Sequence, residues 1–313
     1  MFNERRNQTA RTHDPIKPIQ SFSAAKSKDQ FVSNSTAVNF TKFNQIIFPK
    51  YLVNGVFPEQ KRRERLLYPK YKIIYCGIPK NVHTQVLALF CVDYLERNNQ
   101  SADFVRRNPT AVYSENCRYS YAYAPRDSKD VSYVQMWNSQ SWRKLAIVRN
   151  PLDRFISGLL FICTFAKLQH WCNDVNLFAK RIFRVMESIA SKPVRPEDRL
   201  VVQHMYPQAW HCEFRDHIND FTIIKFDKSK MFAERMRQLL LSWGLPPHLI
   251  LNGWGENRSK KFLDVWTNHS NSNNQSEQLY YELLRNPKTL KIIQNLYMID
   301  YYYFNYTLEE PLY

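Results

Sequence analysis

No stretch of this chain reaches the roughly 20 consecutive apolar residues that a membrane-spanning helix needs. The longest largely apolar run, Phe155 to Ala166, reads as a buried helix instead. The first fifty residues are polar, rich in Asn, Ser, Thr and Lys, and lack a signal-peptide hydrophobic region. Residues 1–45 therefore read as a polar, disordered stem and 46–313 as one domain with one substantial core. Acidic residues are scarce: 28 Asp+Glu stand against 44 Lys+Arg, a formal charge of +16. That deficit predicts a polyanionic partner, which on charge alone is nucleic acid, an anionic membrane or an acidic sugar. Paired metal-ligand motifs are missing as well. His204, His211, Cys212 and His217 form only a loose cluster, so no metal is required. The 19 Tyr and 20 Phe are spread along helical stretches as core and not interleaved with Arg, which argues against a nucleic-acid module.

What is present is a pair of anion-binding corners. In Lys144-Leu-Ala-Ile-Val-Arg149-Asn-Pro-Leu-Asp-Arg154-Phe-Ile-Ser157-Gly158 an apolar strand, Leu145 to Val148, ends in a fixed cation. Asn150 is a good N-cap, Pro151 a good first helical residue and Asp153 a capping-box carboxylate, so a helix starts beside Arg149. On that helix Arg154, Ser157 and Gly158 share a face at three- and four-residue spacing, offering guanidinium, hydroxyl and bare backbone to a phosphate. The second corner lies upstream. Lys72 to Ile78 reads as a strand, Gln85 to Arg97 as an amphipathic helix, and the turn between them presents Lys80, Thr84 and the amides of a helix N-terminus. It is no Walker A loop, because the glycine four residues before the Lys is missing, as is the Ser/Thr after it that would hold Mg²⁺. A nucleotide-dependent kinase is thereby disfavoured.

Four segments, in this order, resemble the Golgi carbohydrate sulfotransferases of the chondroitin/dermatan/HNK-1 type, including their nematode-like branch. They are Pro79-Lys80-Asn81-Val82-His83-Thr84-Gln85, Arg149 to Ser157, Gln203-His204-Met-Tyr-Pro207-Gln208-Ala-Trp-His-Cys212, and Leu296-Tyr297-Met-Ile-Asp300-Tyr301-Tyr-Tyr-Phe304-Asn-Tyr306. The resemblance spans about residues 70 to 310 and implies 3′-phosphoadenosine 5′-phosphosulfate (PAPS) as the donor, with no metal. Pro79, Lys80, Asn81, Val82, His83, Thr84 and Gln85 would then hold the 5′-phosphosulfate; Arg149, Arg154 and Ser157 would hold the 3′-phosphate. Lys80 is the expected stabiliser of the leaving oxygen, because an ammonium can follow a developing charge. His204 is the expected general base and His83 its rival. His83 also departs from the family pattern, which favours a small residue there. The acceptor implied is an anionic, glycosaminoglycan-like glycan, with the chondroitin 4-hydroxyl leading. A catalytically inactive, glycan-binding relative is the alternative. Family members are anchored in the Golgi membrane by an N-terminal helix, whereas this sequence shows none.

Asn-x-Ser/Thr sequons at Asn7, Asn34, Asn39, Asn257, Asn268, Asn274 and Asn305 point towards a lumenal route, as do six Cys. Cys76 and Cys91 read as free buried thiols, and a Cys163–Cys172 closure is expected among the loop cysteines Cys117, Cys163, Cys172 and Cys212. Lys61-Arg-Arg-Glu-Arg65 reads as a solvated helix face. Further along, Asn173 to Ile189 is a helix broken by Lys192-Pro-Val-Arg-Pro196, Phe221 to Phe226 a strand, and Met231 to Trp243 a helix stopped by Gly244. Residues 252 to 277 read as loop and Gln278 to Phe304 as helix. Strands alternating with helices predict an α/β fold, a central parallel sheet flanked by helices with its ligand at the strands' C-terminal ends, P-loop-like in the manner of PAPS-dependent enzymes.

Overall fold

In the computed structural model, residues 65–312 are described except 118–119, 121, 124–130, 167, 173, 190–193, 228, 256–258 and 265–272. The stem over 1–45, nearly all of the basic run at Lys61, and the sequons at Asn7, Asn34, Asn39, Asn257 and Asn268 lie outside the described residues. Asn274 and Asn305 are exposed, and so is Asn99 of a further triplet, Asn99-Gln100-Ser101.

The elements run β1 (Arg65–Tyr68), β2 (Ile73–Cys76), α1 (His83–Arg97), α2 (Asp103–Arg107), β3 (Ala122–Tyr123), α3 (Val131–Asn138), β4 (Arg143–Arg149) and α4 (Pro151–Leu160). They continue α5 (Val175–Ile189), α6 (Arg199–Met205), α7 (Phe214–His217), β5 (Phe221–Phe226), α8 (Lys230–Ser242), α9 (Pro247–Ile250), α10 (Asn273–Leu284), α11 (Pro287–Leu296) and α12 (Met298–Tyr303). The five strands lie in the order β3-β1-β2-β4-β5. β2, β4 and β5 are parallel, as expected, but β1 runs antiparallel to both β2 and β3, so the sheet is mixed. The short connection over residues 69–72 between β1 and β2 explains this: four residues can join a hairpin but not a parallel crossover.

Side chains alternate across the two central strands. Ile73 and Tyr75 of β2 and Leu145 and Ile147 of β4 enter one core with Val86 and Phe90 of α1 and Phe232 of α8. Ile74, Cys76, Ala146 and Val148 enter another with Trp137, Phe214 and Phe304. Both faces are thus covered, which is why these strands read as continuous apolar runs. A third core joins α4, α5, α6, α10 and α11 through Phe155, Phe178, Val201, Leu283 and Ile293.

Three boundaries differ from the sequence reading. The apolar run from Phe155 is α-helical only to Leu160 and continues as a π-helical turn over Phe161–Phe165. The C-terminal helix is three helices, α10, α11 and α12, separated where Asn286 caps Pro287 and at Tyr297. The loop from 252 ends at Asn273, where α10 begins.

The cysteines also differ. Cys76 and Cys91 are not free thiols: Cys76 pairs with Cys212 and Cys91 with Cys117, while Cys163–Cys172 forms as expected. Burial is what both states share, so a half-apolar context could not separate a thiol from a disulfide whose partner lies 136 residues away.

Gly158 has a packing role rather than the ligand-facing one its spacing suggested. A Cβ there would sit 2.4 Å from Met205 Sδ and 3.3 Å from the His204 carbonyl, so its bareness lets α6 lie against α4. Met205 is fully buried, so its sulfur would have to shift within a packed core, and the His204 carbonyl is backbone that gives less readily. Gly158→Ala should therefore destabilise the fold by about 1–3 kcal/mol, read as a lowered urea midpoint at unchanged m-value.

Candidate functional site

Both corners sit at the C-terminal ends of adjacent parallel strands, β2 and β4, and they touch. Asn81 Nδ2 donates to the Ile147 carbonyl at 2.8 Å, and Arg154 Nε donates to the Pro79 carbonyl at 3.3 Å. The expected pairing of a lysine turn with an arginine turn is thus present in the geometry.

After β2 the chain turns through Lys80 at φ 73° and Val82 at φ 62°, left-handed conformations that side chains avoid and glycine accepts. These residues stand where a phosphate loop usually spends glycines. The backbone N–H groups of Lys80, Val82, His83 and Thr84 have no acceptor among the described residues, and Val82 offers no side-chain cap to α1. Four amides therefore converge at a helix N-terminus that favours an anion. The Thr84 hydroxyl is within 3.1 Å of Tyr113 Oη, and Gln85 is buried beneath the turn.

Beyond β4, Asn150 accepts from the Asp153 N–H at 3.0 Å, the N-cap that its sequence predicts. Arg149 is 8% exposed and its guanidinium lies 5.2 Å from the Phe226 ring centre. Ser157 is half-buried about two turns further along α4. Arg154 is fully buried. It carries the carbonyls of Pro79 and, at 2.9 Å, Tyr206, while its Nη2 meets no acceptor among the described residues. It braces the loop from behind rather than facing solvent.

The residue that joins these parts is Gln208, whose role the sequence reading did not assign although its segment was noted. Its Oε1 accepts from Asn81 Nδ2 at 2.6 Å and from the Arg149 N–H at 2.9 Å, and its Nε2 donates to the Arg149 carbonyl at 2.8 Å. Asp300, fully buried, receives the Gln208 and Ala209 N–H groups at 2.8 and 2.7 Å. The signal available was the Pro207-Gln208 dipeptide following a cappable helix, which marks a turn but names no partner.

Charge is concentrated here. No carboxylate pairs with Lys80, Arg149 or Arg154 among the described residues, and the two guanidinium groups act on Lys80 through space. Burial, then Arg149 and Arg154, bring the Lys80 ammonium down to about 8. Its Nζ lies 4.5 Å from the ring centre of Phe161, in the π-helical turn, and the His204 ring stacks on the same Phe161 at 4.3 Å. His204 Nδ1 is 2.9 Å from the Leu200 carbonyl. A carbonyl only accepts, so Nδ1 carries the proton and Nε2 keeps its lone pair. Burial lowers His204 to about 4, against the pull of the Leu200 carbonyl, with Lys80 and Arg154 adding to the lowering. His83, stacked on Tyr75 with a buried Nδ1 that meets no partner among the described residues, is likewise lowered to about 4, by burial and then by His211 and His204. Burial raises Asp300 to about 6. Cys212 is committed to a disulfide and leaves the loose His/Cys cluster without a thiolate.

The family model for the sulfotransferase family matches residues 63–307. Three proteins of Caenorhabditis elegans are similar. The carbohydrate sulfotransferase chst-1 is 25% identical over 78% of this chain and 75% of its own length, and the uncharacterised C18B2.2 is 26% identical over 77% and 68%. The vep-2 protein is 27% identical over 55% of this chain, and the match spans only 56% of vep-2. No solved structure matches the chain.

Two outcomes are expected. Gln208→Leu, which strands the Asn81 amide and the Arg149 backbone without partners, should cost about 2–4 kcal/mol in urea unfolding. Acidification should also destabilise the fold. With His83 and His204 lowered to about 4, the unfolded chain takes up their protons first, so stability falls from about pH 6.5 and levels off near 4. Asp300, raised to about 6, acts in the opposite sense as the pH falls from 6, one carboxyl against two imidazoles. A thermal-melting series across this range checks the net decline, which His83→Phe should reduce.

Proposed function

The chain belongs to the sulfotransferase family, and from that premise we propose that it transfers a sulfuryl group from PAPS to a hydroxyl of a glycan. The observation that carries this reading is that Lys80, Arg149 and four loop amides without acceptors among the described residues share one pair of strand ends, where no described carboxylate lies within ion-pair distance and Asp153 acts on Arg149 only through space. Such a surplus of buried cation is costly and is relieved by a multiply charged anion. The amides of Lys80 to Thr84, with the Lys80 ammonium, suit the 5′-phosphosulfate; the Arg149 fork and the Ser157 hydroxyl suit the 3′-phosphate. Arg154 serves both by holding Pro79 and Tyr206 in place.

The donor supplies an activated sulfuryl group. The acceptor oxygen forms a bond to sulfur as the bond from sulfur to the 5′-phosphate oxygen breaks, and the hydroxyl proton must leave. His204 Nε2 is the acceptor for that proton, since the Leu200 carbonyl fixes the tautomer that leaves it unprotonated. Its low basicity in the free protein comes in part from Lys80 and Arg154. Their neutralisation by a bound anion raises it. Lys80, lowered to about 8, is close enough to neutrality to donate a strong hydrogen bond to the leaving oxygen. His83 is the less suitable base, because its Nδ1 is buried without a partner among the described residues and its ring is stacked on Tyr75.

The carbohydrate acceptor is supported by the chst-1 relative, and a lumenal, Golgi setting by that relative together with six cysteines closed into three disulfides; the chondroitin 4-hydroxyl is the acceptor that the sequence resemblance puts first. No helix among the described residues is long and apolar enough to cross a membrane.

Radiolabelled PAPS with desulfated glycan acceptors tests the reading directly. Lys80→Ala should lower kcat on the order of a hundredfold or more, and His204→Ala should lower kcat more than His83→Ala. The kcat/KM for donor should fall above about pH 8, where free Lys80 loses its proton, while kcat persists to higher pH because bound anion holds that proton on. No transfer by the unaltered protein to any glycan would sink the proposal.

A further inference from the structure

We propose that the cavity between the C-terminal part of α5 and the start of α6 is a subsite for an acidic sugar of the acceptor glycan, an inference that rests on the carbohydrate-sulfotransferase reading above. The cavity measures about 320 Å³ and stands apart from the strand ends that carry Lys80 and Arg149. That volume lies at the lower end of the range for small-molecule sites and suits one or two sugar rings. Arg181, Arg184 and Arg195 line it together with Asp198, and Val185 and Ile189 contribute apolar surface. Arg195 is taken up by Asp198 and, at 3.5 Å from its Nη1, by Glu197, whereas Arg181 and Arg184 pair with no carboxylate among the described residues and leave two positive charges for an incoming anion.

Two of these arginines are already oriented. The Arg181 guanidinium lies 3.6 Å from the ring centre of Trp171, and its Nη1 donates to the His170 carbonyl at 3.3 Å. Asp198, 3% exposed, takes Arg195 Nε at 2.8 Å and Nη2 at 2.6 Å on one carboxylate oxygen, while the other has no partner among the described residues. Arg184 is exposed and pairs with no carboxylate among the described residues. Forks held in place lose little entropy on binding, and they match a uronate carboxylate or a sulfate in two-point fashion. The aliphatic surface between them suits the C–H face of a sugar ring, which a phosphate or a simple inorganic anion would leave uncovered.

The cavity and the proposed base are linked through one helix. Asp198 immediately precedes α6, and His204 lies six residues later on that same helix, about 9 Å along its axis. An acidic sugar in the cavity and the reacting hydroxyl at His204 would therefore be referenced to two ends of one rigid element. The subsite would thus select acceptors by the charge of a neighbouring sugar while taking no part in the transfer step.

The test is calorimetric titration of the full chain with a chondroitin hexasaccharide, with its carboxyl-reduced neutral counterpart, and separately with adenosine 3′,5′-bisphosphate. Arg184→Glu, and Arg184→Glu combined with Arg181→Gln, should weaken hexasaccharide binding at least tenfold and leave bisphosphate binding unchanged; the retained bisphosphate affinity shows that the variants fold. The neutral hexasaccharide should bind the unaltered protein no better than the acidic one binds the double variant. Unchanged hexasaccharide affinity in the variants, equal binding of the neutral form, or no hexasaccharide binding at all would each overturn the subsite. A single-stranded oligonucleotide that binds more tightly than the hexasaccharide and is lost with the same arginines would assign the cavity to nucleic acid and overturn it too. Arginine-dependent hexasaccharide binding without any sulfate transfer would uphold the subsite and refute only the catalytic reading.

Discussion

The site depends on one buried amide. Gln208 presents its carbonyl oxygen to Asn81 and to the Arg149 N–H, and its amino group to the Arg149 carbonyl, so it stitches the turn after β2 to the turn after β4. An unpaired polar group is costly in such a buried setting, and both side-chain polar atoms of Gln208 are engaged, which fixes the separation of the two corners to within a hydrogen bond's tolerance. Asn81 Oδ1 is buried without a partner among the described residues. Asp300 completes the set by accepting two successive backbone N–H groups at the entrance to the Gln208 turn, at the cost of burying a carboxyl whose ionisation is thereby disfavoured. Four residues more than 200 positions apart in the chain, from Asn81 to Asp300, are thus one network. The Cys76–Cys212 disulfide ties the same two regions covalently, from the end of β2 to the segment just past Gln208.

Around this rigid knot the protein tolerates charge that folding alone would not favour. After burial, Arg149 and Arg154 lower the tendency of Lys80 to stay protonated and Arg154 does the same to Arg149, against the through-space pull of Asp153; among the described residues none has a carboxylate within ion-pair distance. Arg154 is offset by the carbonyls of Pro79 and Tyr206, which accept from its fork, and by the through-space effect of Asp300. Lys80 is offset by the face of Phe161. Perturbed groups with geometric reasons for their perturbation cluster at functional sites, and here the reasons are burial and like charge together. The histidines obey the same logic. A cation-rich, poorly hydrated surrounding keeps His83 and His204 neutral, which preserves a lone pair on His204 for chemistry.

Both corners were legible in the sequence because their signals are local. Asn150-Pro151 is a cap followed by a residue with its φ preset, and the structure shows the cap formed. An apolar strand ending in Arg149, and another followed by Lys80, need no knowledge of the rest of the chain. What could not be read was long-range or conformational. Gln208 draws its meaning from Asn81, 127 residues away, and Cys212 from Cys76. The antiparallel β1 follows from a connection of four residues that the basic sequence before it obscured. Arg154 and Gly158 share a helix face with Ser157, as the spacing required, yet spacing does not say whether that face meets solvent or another helix. Here α6 covers Gly158 and the loop covers Arg154.

The missing glycine in the lysine turn is the most telling of these departures. A phosphate loop needs positive φ so that successive amides point inward, and glycine supplies it without strain. This chain achieves it with Lys80 and Val82, each in a conformation that costs on the order of 1 kcal/mol or more. The strain persists because the turn is over-determined: Asn81 between them is pinned to Ile147 and Gln208, and Arg154 holds Pro79 before them. A glycine turn would be free to relax when empty. A turn of Lys, Asn and Val held at both ends keeps its amides aimed at an anion before one arrives, so the ordering cost falls on folding rather than on binding. His83, at the position where a small residue is the family habit, fits the same account. Its ring stacks on Tyr75 at the first position of α1, and it is near enough to His204 for that imidazole to act on it through space.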